Sequence, residues 1–505
     1  ALMLFTLGFV NGAVLADNLI VLLFFWEGLS IALFGMIALG EKGSFHTAVK
    51  AFVINGVADL CMMVGIVLAV SAAGTAVISQ IHLPVTGAAN VAAFLLLLTG
   101  GLAKAGCMPF HSWIPDASLD APLPFMALFP GAMEKLLGIY FVARLALDMF
   151  ALDASSWLST LMMTIGAATI LLAVLMALVQ KDFKRLLSFH AISQVGYMIL
   201  GIGTALPIGI VGGIFHMLNN AIYKSALFLT GGAVERQAGT TDLWKLGGLA
   251  RKMPLTWVGF AVAALSISGV PPFNGFFSKE LVYDGALERH WIFYAAALAG
   301  SFFTAASFLK LGHAAFLGKR RAELDAVREA PTAMVFPILA LAASCILFGL
   351  WNSLPIDSWI APALGEERLA KATFGGFHFN MLWVATAAVL AGAVLNHLWG
   401  FRKTGMGIKA VDHIHHAPVA SKLYEDAERG MFDPYRMGLY ATNILAQVAW
   451  AIDRAIDSIY NVAAVRVTAA FSSAISAAHN GSHARYLAWS LAGAALVALY
   501  VIGSV

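Results

Sequence analysis

The chain has 505 residues, of which 60% are apolar and only 12% charged, with a net charge of +3 and a mean hydropathy of +0.81. Soluble globular domains carry about 25% charged residues, so this composition excludes one. The net charge says little about soluble partners, because most charges sit in loops, and no nucleic-acid partner is expected; the alternating ten-residue segments of an outer-membrane barrel are absent.

In chain order, runs of about 20 apolar residues recur about thirteen times, which predicts an all-α polytopic membrane protein. Residues 1 to 15 and 18 to 39 read as the first two spans, joined at Ala16-Asp17-Asn18, with Glu27 inside the second. The chain opens at Ala1 within an apolar run, and reads as N-terminally incomplete. The third span, about 46 to 75, carries Lys50 near its start and Asp59 further in.

Leu95 to Ala117 places Lys104 in the middle of a membrane-length apolar segment. A lysine at the bilayer centre costs roughly 2.5 to 3.5 kcal/mol on insertion scales, so such residues line a pathway or pair with one another, unless they snorkel from a helix end. Gly100, Gly101, Gly106 and Pro109 flank it, which predicts a broken helix buried in protein or lining a wet cavity. The next span, 122 to 149, opens with Pro122 and Pro124 and holds Glu134 and Lys135. Adjacent residues point about 100° apart, so a Lys135 that faces a channel sends Glu134 toward a neighbouring helix.

Spans follow near 157 to 180, 186 to 204 and 207 to 232, and the last carries His216, Asn220 and Lys224 at i, i+4 and i+8. That spacing stacks three polar groups on one helix face over roughly 12 Å. The stretch 256 to 287 is broken by Gly269, Pro271, Pro272 and Gly275, with Lys279 following. Further spans lie near 291 to 317, 332 to 351 and 379 to 399, and a final one runs from 485 to 503. Between them, 401 to 480 is polar and amphipathic; its long helical run from Val419 to Ala478 is too charged to cross a membrane and is predicted to lie along its surface. This divides the chain into 1–149, 150–320, 321–400, 401–480 and 481–505.

The loops with Lys181, Lys184 and Arg185, with Arg251 and Lys252, and with Lys319, Arg320 and Arg321 are two spans apart, so they share one side. By the positive-inside rule that side is cytoplasmic, and the 401 to 480 segment falls there too. MPFHSWIPDA at 108 to 117 echoes PPFNGFFSKE at 271 to 280, matching Pro109 with Pro272 and Phe110 with Phe273. Paired broken helices in two halves point to a transport site. Cys61, Cys107 and Cys345 lie in apolar segments without CxxC spacing, which argues against cysteine ligation of iron–sulfur or zinc. His413, His415 and His416 have the composition of a metal cluster, but lie in a polar connector and read as surface or interface histidines. No redox cofactor site, nucleotide loop or hydrolytic triad is present, which leaves proton movement as the chemistry of this chain.

Trp26-Glu27-Gly28, AFVINGVADL at 51 to 60, the Lys104 segment running into HSWIPDA, QKDFKRLLSFHAISQVGYM at 180 to 198, FHMLNNAIYKSALFL at 215 to 229 and PPFNGFFSKE together resemble the antiporter-like membrane subunits of respiratory complex I. Membrane-bound hydrogenases and multisubunit sodium/proton antiporters share this family. The tail, with FDPY at 432 to 435 and NGSHARYLAWS at 480 to 490, is similar to that of the largest, distal complex I subunit. The resemblance implies two inverted five-helix repeats with broken helices, a lateral helix clamping neighbouring subunits, and about three N-terminal spans missing here. It implies Glu27 with Lys104 as an ion pair, His216 and Lys224 as a central relay, Lys279 as the terminal exchange residue, and Lys135 as the lysine of the sister subunits. Gly56, Pro130 and Asn220 depart from the distal subunit's arginine, histidine and second histidine.

Burial and a neighbouring carboxylate act in opposite senses on a lysine's proton affinity, so movement of Glu27 relative to Lys104 would switch that lysine between holding and releasing a proton. Three pKa units are about 4 kcal/mol, against roughly 2.3 kcal/mol to move a charge across 100 mV. Asp59 either tunes this pair or caps a helix contact. The expected function is proton translocation in the cytoplasmic membrane as a non-redox subunit of a complex I-like or hydrogenase assembly, with antiporter-like and small membrane subunits as neighbours and peripheral redox subunits as indirect partners. The alternatives are a cation/proton antiporter or ion-coupled uptake subunit, and a scaffold whose channel has degenerated.

Overall fold

The computed structural model describes residues 1–40, 43–150, 152–365, 368–369, 372–377, 379–416, 418–431 and 433–504. Among the described residues there is no β-strand; only isolated bridges join Asn18 to Val77 and Asp182 to Asp242. The chain forms two units, Ala1–Tyr435 and Arg436–Val505.

In the first unit, α1 (Leu2–Leu15) is followed by α2 (Leu19–Ala38), which starts where the Asn18 side chain accepts from the amides of Ile20 and Val21. Such a cap satisfies donors that a helix start otherwise leaves open. Next come α3 (Ser44–Ala73) and α4 (Ala88–Ala105). Gly106, at φ +68°, stops α4 in a left-handed turn that a residue with a Cβ rarely adopts, and the chain resumes as α5 (Trp113–Asp120). The predicted break beside Lys104 is present. Helix α6 (Leu123–Met149) is continuous but not regular, since Phe129–Met133 and Arg144–Met149 are π-helical.

The next group comprises α7 (Trp157–Val179), α8 (Phe183–Gly203) and α9 (Pro207–Ala238). Helix α8 is enclosed along its whole apolar length. Its contact with α7 depends on paired glycines: a Cβ on Gly166 would come within 2.7 Å of the Gly196 carbonyl oxygen. After α10 (Pro254–Ser268), Gly269 at φ +80° repeats the left-handed stop, and α11 (Asn274–Arg289) follows. Each glycine lies three residues before the proline matched by the sequence echo, and the Met108–Pro109 and Pro271–Pro272 peptides are cis. The unit continues with α12 (Trp291–Leu317), α13 (Thr332–Leu350), α14 (Met381–Thr404) and α15 (Pro418–Glu428).

The second unit is built from α16 (Pro434–Asp457), the π-helical Ser458–Ala464, α17 (Val465–Ala478) and α18 (His483–Gly503). Among the described residues, ten helices are long and apolar enough to cross a membrane; α1 and α10 are apolar but shorter. The architecture is an all-α polytopic membrane protein with two inverted repeats, each holding a broken helix.

Candidate functional site

Lys104 occupies the last turn of α4, where its ammonium lies over the Trp26 ring at 5.1 Å. Its Nζ donates to Ser30 Oγ at 2.8 Å and to the Trp26 carbonyl at 3.5 Å, and lies 3.7 Å from Asp59 Oδ2. Asp59, on α3, accepts from Trp26 Nε1 at 2.7 Å and Ser30 Oγ at 3.1 Å. The Lys104 and Asp59 side chains are 0% and 2% exposed, so this pair is desolvated and its hydrogen bonds must carry it. The expected Glu27–Lys104 ion pair is not formed. Trp26 and Ser30 are one turn apart and share the face toward Lys104, whereas Glu27 is rotated about 100° away and stays half-buried.

Lys135 donates from Nζ to the Ala105 carbonyl at 3.2 Å, directly over the break; a Cβ on Gly106 would lie 3.1 Å from that nitrogen. Lys279, on α11, donates to the Ile267 carbonyl at 2.9 Å and to Ser301 Oγ at 3.0 Å. Both breaks thus hold an ammonium on a carbonyl near the end of the first half-helix, where orphan acceptors and the negative end of the helix dipole favour a cation. Ser301 also meets the hydroxyls of Tyr197 and Tyr283, and Lys279 sits 4.8 Å from the Tyr197 ring centre. Glu134 is 1% exposed, and its Oε1 has no hydrogen-bond partner among the described residues.

Between the breaks, His216 is fully enclosed on α9. Its Nδ1 lies 2.9 Å from Ser278 Oγ, and its Nε2 lies 3.1 Å from Gln194 Oε1 and 3.2 Å from the Tyr223 hydroxyl. Ser278, next to Lys279 in α11, also donates to the Asn274 and Gly275 carbonyls at 3.5 and 3.3 Å, which places the imidazole beside the first turn after the second break. Two turns along the same helix, Lys224 donates to the Leu187 carbonyl at 3.1 Å. Asn220 lies between them, buried, with neither amide atom partnered among the described residues. Of the departures noted in the sequence, Gly56 faces open space and Pro130 lies inside the π-helical turn before Glu134.

Several polar groups were not anticipated. Ser30, Gln194, Tyr223, Ser278 and Ser301 supply the hydrogen bonds above; for the first four the signal in the sequence is a polar residue one turn from, or next to, an ionisable one, and Ser301 has no such signal. His190 lies 2.8 Å from Ser307 Oγ, and Lys310 donates to the Leu178 and Gln180 carbonyls at 2.6 and 2.7 Å. Lys50 bridges Asp116 at 2.9 Å and Asp433 at 2.8 Å. His413 lies 2.8 Å from Asn396 Oδ1, while the His415 side chain falls outside the described residues. Among the described residues no group of three or more metal-binding side chains converges.

Residues 16–304 match the family described as NADH:quinone oxidoreductase/Mrp antiporter, transmembrane. The chain is 36% identical to a Na(+)/H(+) antiporter subunit of Alkalihalophilus pseudofirmus over 68% of its length and 71% of that protein. It is 31% identical to NADH-quinone oxidoreductase subunit L of Mycobacterium tuberculosis over 96% of its length and 77% of that protein. It is 33% identical to Na(+)/H(+) antiporter subunit A1 of Staphylococcus haemolyticus, of which it spans about half, 51%. Among solved structures it resembles the Mrp complex from Dietzia sp. DQ12-45-1b (TM-score 0.67, 26% identity, 77% of this chain and 79% of that one). It also resembles respiratory complex I from Thermus thermophilus (TM-score 0.61, 27% identity, 74% and 80%). A match over more than half of the chain, together with that near full-length likeness, makes this protein a member of the NADH:quinone oxidoreductase/Mrp antiporter transmembrane family.

Proposed function

We propose that this chain is the proton-translocating membrane subunit of a redox-driven ion pump, a complex I-like NADH:quinone oxidoreductase or a membrane-bound hydrogenase, set in the cytoplasmic membrane with its electron chemistry in other chains. The observation that carries the reading is the row of enclosed ionisable groups: Lys104, Lys135, His216, Lys224 and Lys279 are each at most 1% exposed. Intramembrane lysines are expensive and are retained where they move ions. In this reading Lys104 exchanges its proton under the influence of Asp59, with Glu27 a more distant carboxylate. Lys135, Lys224 and His216 pass it on, and Lys279 releases it. The basic loops and the amphipathic α16–α17 stretch would face the cytoplasm, where antiporter-like and small membrane subunits are the neighbours.

The likeness to subunit L extends over 96% of the chain and so takes in the second unit, which favours the redox-driven form. The archaeal membrane-bound sulfane sulfur reductase, described as a respiratory membrane complex, is a further structural neighbour at TM-score 0.65 and 26% identity, covering 78% of this chain and 77% of that one. The second reading, a cation/proton antiporter subunit without redox partners, is favoured by the 36% identity to the Alkalihalophilus pseudofirmus antiporter protein. Purification of the intact complex through this chain, with mass spectrometry of its subunits, separates the two. Iron–sulfur and quinone-site or nickel–iron subunits support the pump; antiporter subunits alone overturn it. In the pump, Lys104→Ala abolishes proton movement while leaving part of the electron transfer.

A further inference from the structure

Glu134 has no place in the relay above, yet its surroundings are those of a working group. It lies at the point where the π-helical turn Phe129–Met133 gives way to regular helix. Such turns interrupt the hydrogen-bond ladder and are frequent at functional sites. Helices α4 and α6 meet backbone to backbone nearby: a Cβ on Gly138 would lie 2.3 Å from the Ala105 nitrogen, and one on Gly101 would lie 2.7 Å from the Val142 side chain. That contact brings the turn bearing Glu134 against the end of α4. The ionisable groups near enough to act on its enclosed carboxyl are Lys104, Lys135 and Asp59.

A glutamate buried only to balance charge would be held by those ammonium groups. Instead each has its own fixed partners: Lys104 uses Ser30, the Trp26 carbonyl and Asp59, and Lys135 uses the Ala105 carbonyl. Among the described residues Glu134 forms no ion pair, and its Oε1 is enclosed and unpartnered. A buried polar atom left so is costly, and a change of state or position in the working cycle is a reason for a protein to keep one.

We propose that Glu134 is a proton-carrying residue of the first half-channel, taking a proton from Lys104 and delivering it to Lys135. As the Lys104 ammonium becomes an amine, the Glu134 carboxylate becomes a carboxylic acid. The acid then protonates the Lys135 amine and returns to carboxylate, so charge across the three groups is conserved. The assignment rests on the proton-relay reading and adds a carboxyl between two lysines of that relay.

The test uses the assembled complex in proteoliposomes, with proton movement followed by a pH-sensitive dye. Glu134→Gln keeps the shape and removes the acid; transport falls by at least about tenfold, the order expected for a lost proton-transfer group, while native gels show unchanged assembly. Glu134→Asp keeps most of the transport. Infrared difference spectra of the working complex show a carboxylic-acid carbonyl band that shifts in Glu134→Asp and vanishes in Glu134→Gln. Wild-type transport by Glu134→Gln, with Lys104→Ala inactive, overturns the role of Glu134 and leaves the relay standing. Wild-type transport by Lys104→Ala overturns the relay itself. If Glu134→Gln does not assemble, the Glu134→Asp band decides, and a spectrum without a shift overturns the proposal.

Discussion

Asp59 and Glu27 compete for the role of counter-ion to Lys104, and packing rather than sequence chooses between them. Sequence reading located every lysine now found enclosed at the two breaks, because a charge inside an apolar run is visible without knowing its neighbours. The expected partner was Glu27 and the one present is Asp59, since the choice depends on how α2 and α3 are rotated about their axes. Trp26 and Ser30 fix that rotation by bonding Asp59 at 2.7 and 3.1 Å. Breaking a buried pair from one side costs about 3–5 kcal/mol, because the charge left behind is uncompensated. Asp59→Asn should therefore abolish proton movement and lower the thermal transition of the detergent-solubilised protein. Glu27→Gln, which leaves the Lys104–Asp59 pair intact, should retain measurable transport and an unchanged transition. Equal loss in both variants would show that Glu27 reaches Lys104 during turnover.

At the level of the helix, both breaks were legible from Gly106 and Gly269, each followed three residues on by a proline. The register of α6 was not. The π-helical Phe129–Met133 turn winds by more than 3.6 residues per turn, so a regular helix drawn from Pro122 loses its phase before Glu134; Glu134 and Lys135 are both buried because packing encloses most of this helix. The α4–α6 contact has no room for a methyl group at Gly138. Gly138→Ala should cost about 1–3 kcal/mol through overpacking, read as a lowered unfolding temperature, and should pull Lys135 from the Ala105 carbonyl. The 429–435 stretch offers a separate test through Asp433. Burial raises its pKa, but hydrogen bonds from Lys50 and Ser112, the Lys50 charge and the Tyr435 amide outweigh that and hold it below the usual carboxylate value. A lowered folded-state pKa means that the unfolded state binds more protons as pH falls. The stabilisation is thus complete above about pH 4 and lost as pH drops through the folded value. Hydrogen exchange at 429–435, corrected for intrinsic rates, should be steady from pH 7 to 5 and accelerate below pH 4. Asp433→Asn should show the faster exchange at neutral pH.

Across the whole molecule, the two units differ in where their apolar surface goes. In Ala1–Tyr435 it is largely turned inward, around α8 and the ionisable row. In Arg436–Val505 no described residue is buried within a helix, and large side chains such as Leu445, Trp450, Ile456 and Phe471 are exposed. The amphipathic spacing along α16 and α17 was legible, because charge at helical intervals rules out a span; what covers the apolar face was not, because helical periodicity marks a face without naming its partner. A contiguous apolar stripe of that length requires lipid or protein to cover it. If neighbouring membrane subunits do so, a chain ending at Tyr435 should still insert and unfold within a few degrees of the full protein, since the enclosed row belongs to the first unit. The shortened chain should then lose its membrane partners on purification, and proton movement by the complex should fall with them. Retention of every partner after the truncation would mean that lipid alone covers the stripe. In that case α16 and α17 lie on the bilayer without holding the assembly together, and contacts with other subunits belong to the first unit.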